Sequence, residues 1–170
     1  MKARERKSWQ QTAMNLALNI AEDRSEDPYV QVGAVAVKYD GSISVGYNGA
    51  PAGININWED RDERRAKVVH AEVNVLNFCK PGEVEFLAVT HMPCPDCLKT
   101  IAIKKIKTVY FNFYPENYPR ETSFELAQEF KIGLHYLPSL VQAPDNYAFK
   151  NNDGTFDQWC SSFINAASRA

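Results

Sequence analysis

The chain has 170 residues, of which 45% are hydrophobic and 24% charged, the length and composition of one ordinary globular domain. Its formal net charge of -2 and isoelectric point of about 5.9 argue against a protein that wraps long nucleic acid, because such proteins present a basic face. No run of about 18 apolar residues predicts a membrane span, and the charged N-terminus lacks the apolar core of a secretory signal. We therefore expect a cytoplasmic protein without a membrane partner.

The first third of the chain predicts a helix followed by a strand hairpin. Residues 8–22 have apolar side chains at helical spacing, and Ser8 is a suitable N-cap. The Val-rich alternation at 30–40 predicts a strand. Asp40-Gly41 is a hairpin turn signal, after which 42–48 predicts the returning strand.

The middle of the chain predicts alternating helices and strands. A Gly/Pro loop at 49–54 and a polar, charged stretch at 55–67 precede a predicted helix at 68–79. A strand is predicted at 84–92. A helix at 95–105 follows, and its first residue is a proline, at a position where the missing N–H does no harm.

The last third predicts a strand at 107–114, a helix at 123–131, a strand at 132–137 and an amphipathic helix at 156–168. A hairpin followed by helical crossovers predicts a mixed sheet, with parallel pairing of the later strands and helices on both faces. The fold class is therefore predicted as α/β.

Two short motifs contain the residues from which a chemical function can be inferred, His70-Ala71-Glu72 and Pro93-Cys94-Pro95-Asp96-Cys97. Their combination is the signature of zinc-dependent deaminases. One imidazole and two thiolates give three ligands for a tetrahedral ion and leave a fourth position for water, as in catalytic zinc sites. We therefore predict that His70, Cys94 and Cys97 bind zinc.

The predicted helices place these motifs favourably. Cys94 and Cys97 fall at the start of a helix, where the helix dipole and free N–H groups favour thiolates, and a separation of three residues lets both sulfurs face one ion. Glu72 follows His70 by two residues, so it is better placed beside the metal than on it. There it can act as general base and later as general acid, since zinc lowers the pKa of bound water to roughly 7.

Two other interpretations of the cysteine pair stay open from the sequence. A CxxC pair is also typical of redox sites in a thioredoxin-like context. A structural zinc site would need a fourth protein ligand, for which His91 and Cys79 are the candidates. The presence of Glu72 favours the catalytic interpretation, because a structural site has no need for an acid there.

With these residues placed, the chain resembles the cytidine deaminase superfamily and, within it, the deoxycytidylate (dCMP) deaminases, including those of bacteriophages. The similarity runs from about Trp9 to Pro138. Its motifs, in one-letter code, are RSxDP at 24–28, VGA at 32–34, GYNGAPAG at 46–53, HAEVN at 70–74, THMPCPDC at 90–97 and IKxV at 106–109.

The resemblance implies a cytidine deaminase-like three-layer α-β-α sandwich with a five-stranded mixed sheet, formed by a zinc-dependent deaminase domain at 1–139. Residues 140–170 would be a C-terminal extension packed on that domain or on a neighbouring subunit. The helical spacing of Phe156, Trp159 and Phe163 favours packing on a neighbouring subunit. The resemblance also implies one zinc ion per chain, a homo-oligomer (a hexamer in such relatives) and, for a viral source, the host cytoplasm.

Substrate contacts follow from the resemblance for five residues. Asn48 would contact the sugar 3′-hydroxyl, Arg24 and Ser25 the 5′-phosphate, and Tyr114 the base, while Ala71 would also contact the substrate. The alternatives are a turn asparagine that favours positive φ, a solvated loop arginine and a core or rim tyrosine.

The loop at 49–53 is where many relatives bind a regulatory deoxynucleoside triphosphate. This assigns Gly49, Pro51 and Gly53 to an effector site, with Mg²⁺ accompanying the triphosphate. Glycines let backbone N–H groups approach phosphates closely. A loop that only shapes the wall of the active site is the alternative.

The resemblance implies hydrolytic deamination of dCMP to dUMP with release of ammonia, activated by dCTP and inhibited by dTTP. The segment NFYPENYPR at 112–120 departs from the pattern of many relatives, which have a small hydroxyl residue near Phe113 and an acidic one near Tyr114 or Pro115. The same chemistry on dGMP, cytidine or another cytosine or purine nucleotide therefore stays open. A non-catalytic zinc-binding module and a dNTP-binding protein are the remaining alternatives.

Overall fold

The computed structural model of the chain describes residues 1–114 and 120–137. The predicted helix at 156–168, the extension at 140–170 and positions 115–119 of the unusual segment lie outside the described residues. Within the described ranges, no helix has both the length and the apolar character that crossing a bilayer requires.

The described strands form one mixed sheet: β1 Gly33–Lys38, β2 Ile43–Tyr47, β3 Val84–His91, β4 Thr108–Phe113 and β5 Gly133–Tyr136. Their order across the sheet is β2-β1-β3-β4-β5. β1 pairs antiparallel with both β2 and β3, whereas β3 with β4 and β4 with β5 pair parallel. The predicted hairpin, the mixed five-stranded sheet and the parallel pairing of the later strands are confirmed.

The described helices are α1 Trp9–Arg24, α2 Arg61–Lys67, α3 Ala71–Leu76, α4 Pro95–Ile103 and α5 Arg120–Glu129. Ser8 caps α1 as predicted, because its hydroxyl accepts a hydrogen bond from the Gln11 N–H. α5 begins three residues before its predicted start, and α4 begins at the predicted proline.

Helix α2 lies in the charged stretch for which no element was predicted. Asp60 caps it by accepting hydrogen bonds from the N–H groups of Asp62 and Glu63. None of its residues is buried, so the stretch lacks the apolar periodicity on which the prediction depended.

The helix predicted at 68–79 is wrong at both ends, because the backbone of Val68 to His70 is extended and the helix ends at Leu76. Val69 pairs with Gly49 in an isolated antiparallel bridge, and the helix begins only at Ala71. The apolar residues at 68–69 therefore reflect pairing with a distant loop rather than a helical face.

The core has two layers, one on each face of the sheet. On one face, α1 packs against β1 and β3, and this layer consists of Ala13, Met14, Ala17, Val35, Val37, Phe86 and Ala88. On the other face, α3, α4 and α5 cover a larger cluster that includes Val75, Leu87, Leu98, Ile101, Val109, Phe111 and Phe124. The three-layer α-β-α sandwich is confirmed.

One edge of the sheet brings together the ends of several elements. Because β1 runs antiparallel to β2 and β3, the start of β1, the end of β2 and the carboxyl end of β3 meet there. Helix α4 starts shortly after β3 at this edge. Asn74 joins the first turns of α3 to the same place, since its side-chain Nδ2 donates to the carbonyl of Tyr47 at 2.6 Å.

Candidate active site

Three predicted metal ligands meet at this edge of the sheet. The Nδ1 atom of His70 lies 3.6 Å from the Sγ atom of Cys94 and 3.3 Å from the Sγ atom of Cys97. The three ligand atoms all lie within 4.8 Å of one another. In the part of the chain that the structure describes, this is the one group of three or more His, Cys, Asp or Glu residues close enough to hold a metal ion.

Both halves of the group are set by helix starts. Cys94 is the N-cap of α4, and its sulfur accepts a hydrogen bond from the Cys97 N–H at 3.4 Å. His70 is the N-cap of α3, with an extended backbone, and its side chain makes no capping hydrogen bond. Its imidazole therefore serves the sulfurs rather than the helix end.

Hydrogen bonding within the group separates the pKa values of its members. The Cys97 thiol, together with His70, lowers the pKa of Cys94 to about 4. The hydrogen bond to Cys94 raises the pKa of His70 to about 9. The same Cys94 sulfur and burial raise the pKa of Cys97. A metal ion replaces protons at such ligands, and a set of one nitrogen and two sulfurs suits zinc with a fourth position for water. The residues present therefore fit this ion.

Glu72 is the second residue of α3 and lies beside the group without belonging to it. Its side chain is buried, with 4% exposure. Burial raises the pKa of this carboxyl to about 6, although the positive charge of His70 opposes the shift. A carboxyl group with a pKa near neutrality can both accept and donate a proton at physiological pH.

The two candidates for a fourth protein ligand, Cys79 and His91, have other partners. The Cys79 thiol donates to the carbonyl of Val75 at 3.5 Å within the core. The His91 Nδ1 atom lies 3.0 Å from the Thr90 hydroxyl oxygen, and burial lowers the pKa of His91 to about 4. Neither belongs to the metal-binding group, so the described residues favour an open site over a closed structural one.

Asn48 is buried next to this site, and its amide has several partners in the protein. Its Oδ1 atom accepts hydrogen bonds from the Val32 N–H at 2.8 Å and from the Ser25 hydroxyl at 2.5 Å. Its Nδ2 atom donates to the Val30 carbonyl at 2.7 Å. The amide therefore joins the loop before β1 to the loop after β2.

The neighbouring predicted residues differ in their surroundings. The alternative of an asparagine with positive φ is wrong, because the non-glycine residues that the structure describes with positive φ are Lys105 and Lys131. Arg24 is exposed, and its guanidinium lies 5.7 Å from the centre of the Tyr47 ring. It therefore lies close to Asn48, at the end of β2.

The other predicted contact residues are distributed around the same edge. Tyr114 directly follows β4, and its half-buried ring packs against the larger core cluster. Ala71 is fully buried at the first position of α3. Pro51 and Gly53 lie in the exposed loop, where the Pro51 carbonyl accepts from the Ile54 N–H and Gly53 has a φ of +81°. Only a glycine adopts that φ without strain.

Gly46 is a residue to which no role was assigned from the sequence, although it opens the GYNGAPAG motif. A Cβ atom there would lie 2.5 Å from the Val75 nitrogen and 2.8 Å from the Ala71 carbonyl oxygen. The absence of a side chain at position 46 therefore lets α3 approach β2. A glycine within a predicted strand is the sequence signal for such a close backbone approach.

The fold and this group of side chains are those of the zinc-dependent deaminases of nucleotide bases. Residues 7–113 match the family model described as the cytidine and deoxycytidylate deaminase zinc-binding region. The chain belongs to this family.

Relatives and solved structures agree with this assignment. The chain is 37% identical over 123 residues to ComE operon protein 2 of Bacillus subtilis, covering 67% of this chain and 62% of that protein. It is 31% identical over 123 residues to the deoxycytidylate deaminase of Mycobacterium phage D29, covering 62% and 95%. The crystal structure of the dCMP deaminase from cyanophage S-TIM5 in complex with dCMP and dUMP superposes with a TM-score of 0.59 and 31% identity, covering 76% of this chain and 93% of that one.

The extent of the match differs among relatives. The chain spans 62% of the Bacillus subtilis protein and 49% of a probable deoxycytidylate deaminase of Caenorhabditis elegans, to which it is 39% identical over 97 residues. The segment that matches the family model, residues 7–113, contains both metal-binding motifs.

Proposed function

We propose that this chain catalyses the zinc-dependent hydrolytic deamination of dCMP to dUMP with release of ammonia. The observation that carries the proposal is the convergence of His70, Cys94 and Cys97 with the buried carboxyl of Glu72 beside them. The similarity to a phage enzyme whose structure contains dCMP and dUMP supports the choice of substrate.

The residues of the site divide the chemistry between them. His70, Cys94 and Cys97 would hold zinc, which when bound supplies Lewis acidity and makes hydroxide available near neutral pH. Glu72 takes a proton from the attacking water and passes it to N3 of the base as the C4–O bond forms. The hydrogen of the new C4 hydroxyl then goes through Glu72 to the exocyclic amine, which leaves as ammonia when the C4–N bond breaks and the C4 carbonyl forms.

Substrate binding is assigned to the surrounding loops. The Asn48 amide donates one of its two Nδ2 hydrogens to the Val30 carbonyl. The second would donate to the sugar 3′-hydroxyl. Arg24 and Ser25 would bind the 5′-phosphate, since a guanidinium suits a bidentate phosphate contact. Tyr114 would cover the base, and Ala71 would contact it from the start of α3.

The first test is Glu72→Gln, with Glu22→Gln as the matched control on an exposed carboxylate of α1. Glu72→Gln should fold and bind one zinc ion per chain, yet lose about 10²–10⁴-fold in turnover, the usual contribution of general acid–base catalysis. Ammonia release, zinc content and thermal unfolding are measured on both variants. Activity of Glu72→Gln at the level of Glu22→Gln would disprove the mechanism.

A second candidate function is the same chemistry on another nucleotide, which the departure at 112–120 favours. Turnover of dCMP, dGMP, cytidine and the corresponding triphosphates separates the two. We expect dCMP to have the highest kcat/KM. A higher value for dGMP would keep the mechanism and change the substrate, whereas zinc or triphosphate binding without any ammonia release would favour a binding module.

Regulation and assembly are proposed from the family resemblance. We expect dCTP with Mg²⁺ to activate and dTTP to inhibit through the loop that contains Gly49, Pro51 and Gly53, in a cytoplasmic homo-oligomer of six chains. Steady-state rates with each triphosphate and the mass in solution test these expectations.

We also expect 140–170 to form an extension to the domain at 1–139. Removing everything after Pro138 should then change the oligomer size or the melting temperature.

A further inference from the structure

Three segments of the chain meet at Gly49, next to the candidate active site. On one side, Gly49 and Val69 exchange backbone hydrogen bonds, at 3.2 Å from the Gly49 N–H and 2.9 Å from the Val69 N–H. On the other side, the Glu26 N–H donates to the Asn48 carbonyl at 3.1 Å. The Glu26 carboxylate accepts from the Ala50 N–H at 2.9 Å. Glu26 thus binds the chain immediately before and immediately after Gly49.

The Glu26 side chain also occupies the space that a side chain at position 49 would need. A Cβ atom on Gly49 would lie 2.8 Å from Cδ and 2.9 Å from Oε2 of Glu26. The carboxylate therefore packs against the backbone of Gly49 in addition to accepting the hydrogen bond from the Ala50 N–H. The Glu26 side chain and the Val69 backbone therefore both contact the Gly49 backbone.

Gly49 and Val69 are each adjacent in the chain to a residue of the proposed site. Asn48 precedes Gly49, and His70 follows Val69. The contacts at Gly49 therefore set the distance between the Asn48 amide, which is proposed to bind the sugar, and the His70 imidazole, which is proposed to bind the metal. We propose that Glu26 is a positioning residue that fixes Asn48 relative to His70, and so fixes how the sugar lies relative to the reacting base. This inference rests on the proposed function.

Glu26→Ala is the direct test, in the zinc-loaded chain of 170 residues with dCMP. Loss of one exposed hydrogen bond to a charged acceptor should raise KM about five- to tenfold, while kcat and zinc content stay within about twofold of wild type. Glu26→Gln keeps an acceptor oxygen for the Ala50 N–H and should restore KM to within about twofold. Glu22→Ala removes a carboxylate of the same charge four residues earlier and should leave KM unchanged.

Gly49→Ala provides a double-mutant cycle on the same contact. The new methyl group has to displace the flexible end of Glu26, so Gly49→Ala alone should reproduce the rise in KM. In the Glu26→Ala background the space is vacant, and Gly49→Ala should add less than about twofold. Independent structural damage would instead make the two effects multiply.

Backbone amide exchange gives a measurement that does not depend on activity. In Glu26→Ala, the amides of Ala50 and Val69 should exchange at least about fivefold faster than in wild type, with Glu26→Gln and Glu22→Ala near wild type. Unchanged exchange and unchanged KM in Glu26→Ala would overturn the inference, as would faster exchange with unchanged KM. If wild-type protein does not turn over dCMP, the proposed function fails, and the exchange rates still decide whether Glu26 holds this loop.

Discussion

Gly46 on β2 lies so close to α3 that a single methyl group should disturb the active site. A Cβ atom there would lie 2.5 Å from the Val75 nitrogen, 2.8 Å from the Ala71 carbonyl oxygen and 2.9 Å from the Val75 Cα atom. All three are backbone atoms, so no rotation of a side chain can relieve the overlap. In Gly46→Ala, α3 has to move by about 0.9 Å for the shortest contact to reach the 3.4 Å of ordinary van der Waals contact.

This movement changes the geometry of the site because its residues lie on two helices. His70 and Glu72 are at the start of α3, whereas Cys94 and Cys97 are at the start of α4. Displacing one pair relative to the other by about 1 Å is expected to reduce kcat about 100-fold. Overpacking should also lower the free energy of unfolding by about 1–3 kcal/mol.

The control variant is Gly41→Ala, at the far end of the β1–β2 hairpin. Gly41 has a φ of +85°, and a Cβ atom there would meet nothing within 4 Å. Its substitution strains the backbone by about 1–2 kcal/mol without moving a helix. Ammonia release, zinc content and thermal unfolding are compared for both variants. If Gly46→Ala kept the same kcat as Gly41→Ala, the argument from close packing would be refuted.

Two further predictions concern the thiol pair and a helix end. In protein stripped of metal, the Cys97 thiol helps to hold the pKa of Cys94 at about 4, so Cys94 is a thiolate above that pH. The alkylation rate of Cys94, followed by peptide mapping, should change less than about twofold between pH 6 and 8. The alkylation rate of an ordinary thiol rises about 100-fold over the same range. A rise of that size at Cys94 would contradict the low pKa. Lys105 directly follows the C-cap residue of α4, Lys104, and has a φ of 61°. Lys105→Gly should therefore stabilise the protein by about 0.5–1 kcal/mol and raise Tm by about 1–4 °C. A lower Tm in a thermal melt would count against this prediction.

Most of the fold could be predicted because its elements follow local periodicity. The errors occurred where a distant segment or the protein surface decides the structure. Val69 belongs to an extended segment because it pairs with Gly49, twenty positions earlier in the chain. Helix α2 has no buried residue, so only its cap could have indicated it. Asp60 followed three residues later by Glu63 is a helix-capping signal of this kind. No apolar run follows it, so the capping signal stands alone.

The closeness of the two cysteines could be predicted for a related reason. Cys94 and Cys97 are one helical turn apart, and their relation to each other is fixed by local geometry once α4 starts at Pro95. The surroundings of Asn48 could not be predicted in this way. Its amide partners lie 16 to 23 residues away, and nothing in the local pattern indicates which of them it contacts.

These distant contacts bear on how a phosphate could bind near the site. Ser25 has one hydroxyl hydrogen, and it donates that hydrogen to Asn48 at 2.5 Å. The ionised oxygens of a phosphate accept hydrogen bonds and have no hydrogen to donate, so Ser25 could donate to them only by giving up its contact with Asn48. The exposed Arg24 guanidinium, which lies over the Tyr47 ring, has five N–H donors. Arg24 can therefore bind the 5′-phosphate proposed above without losing a hydrogen bond to Asn48, whereas Ser25 would have to exchange its contact with Asn48 for one with the phosphate.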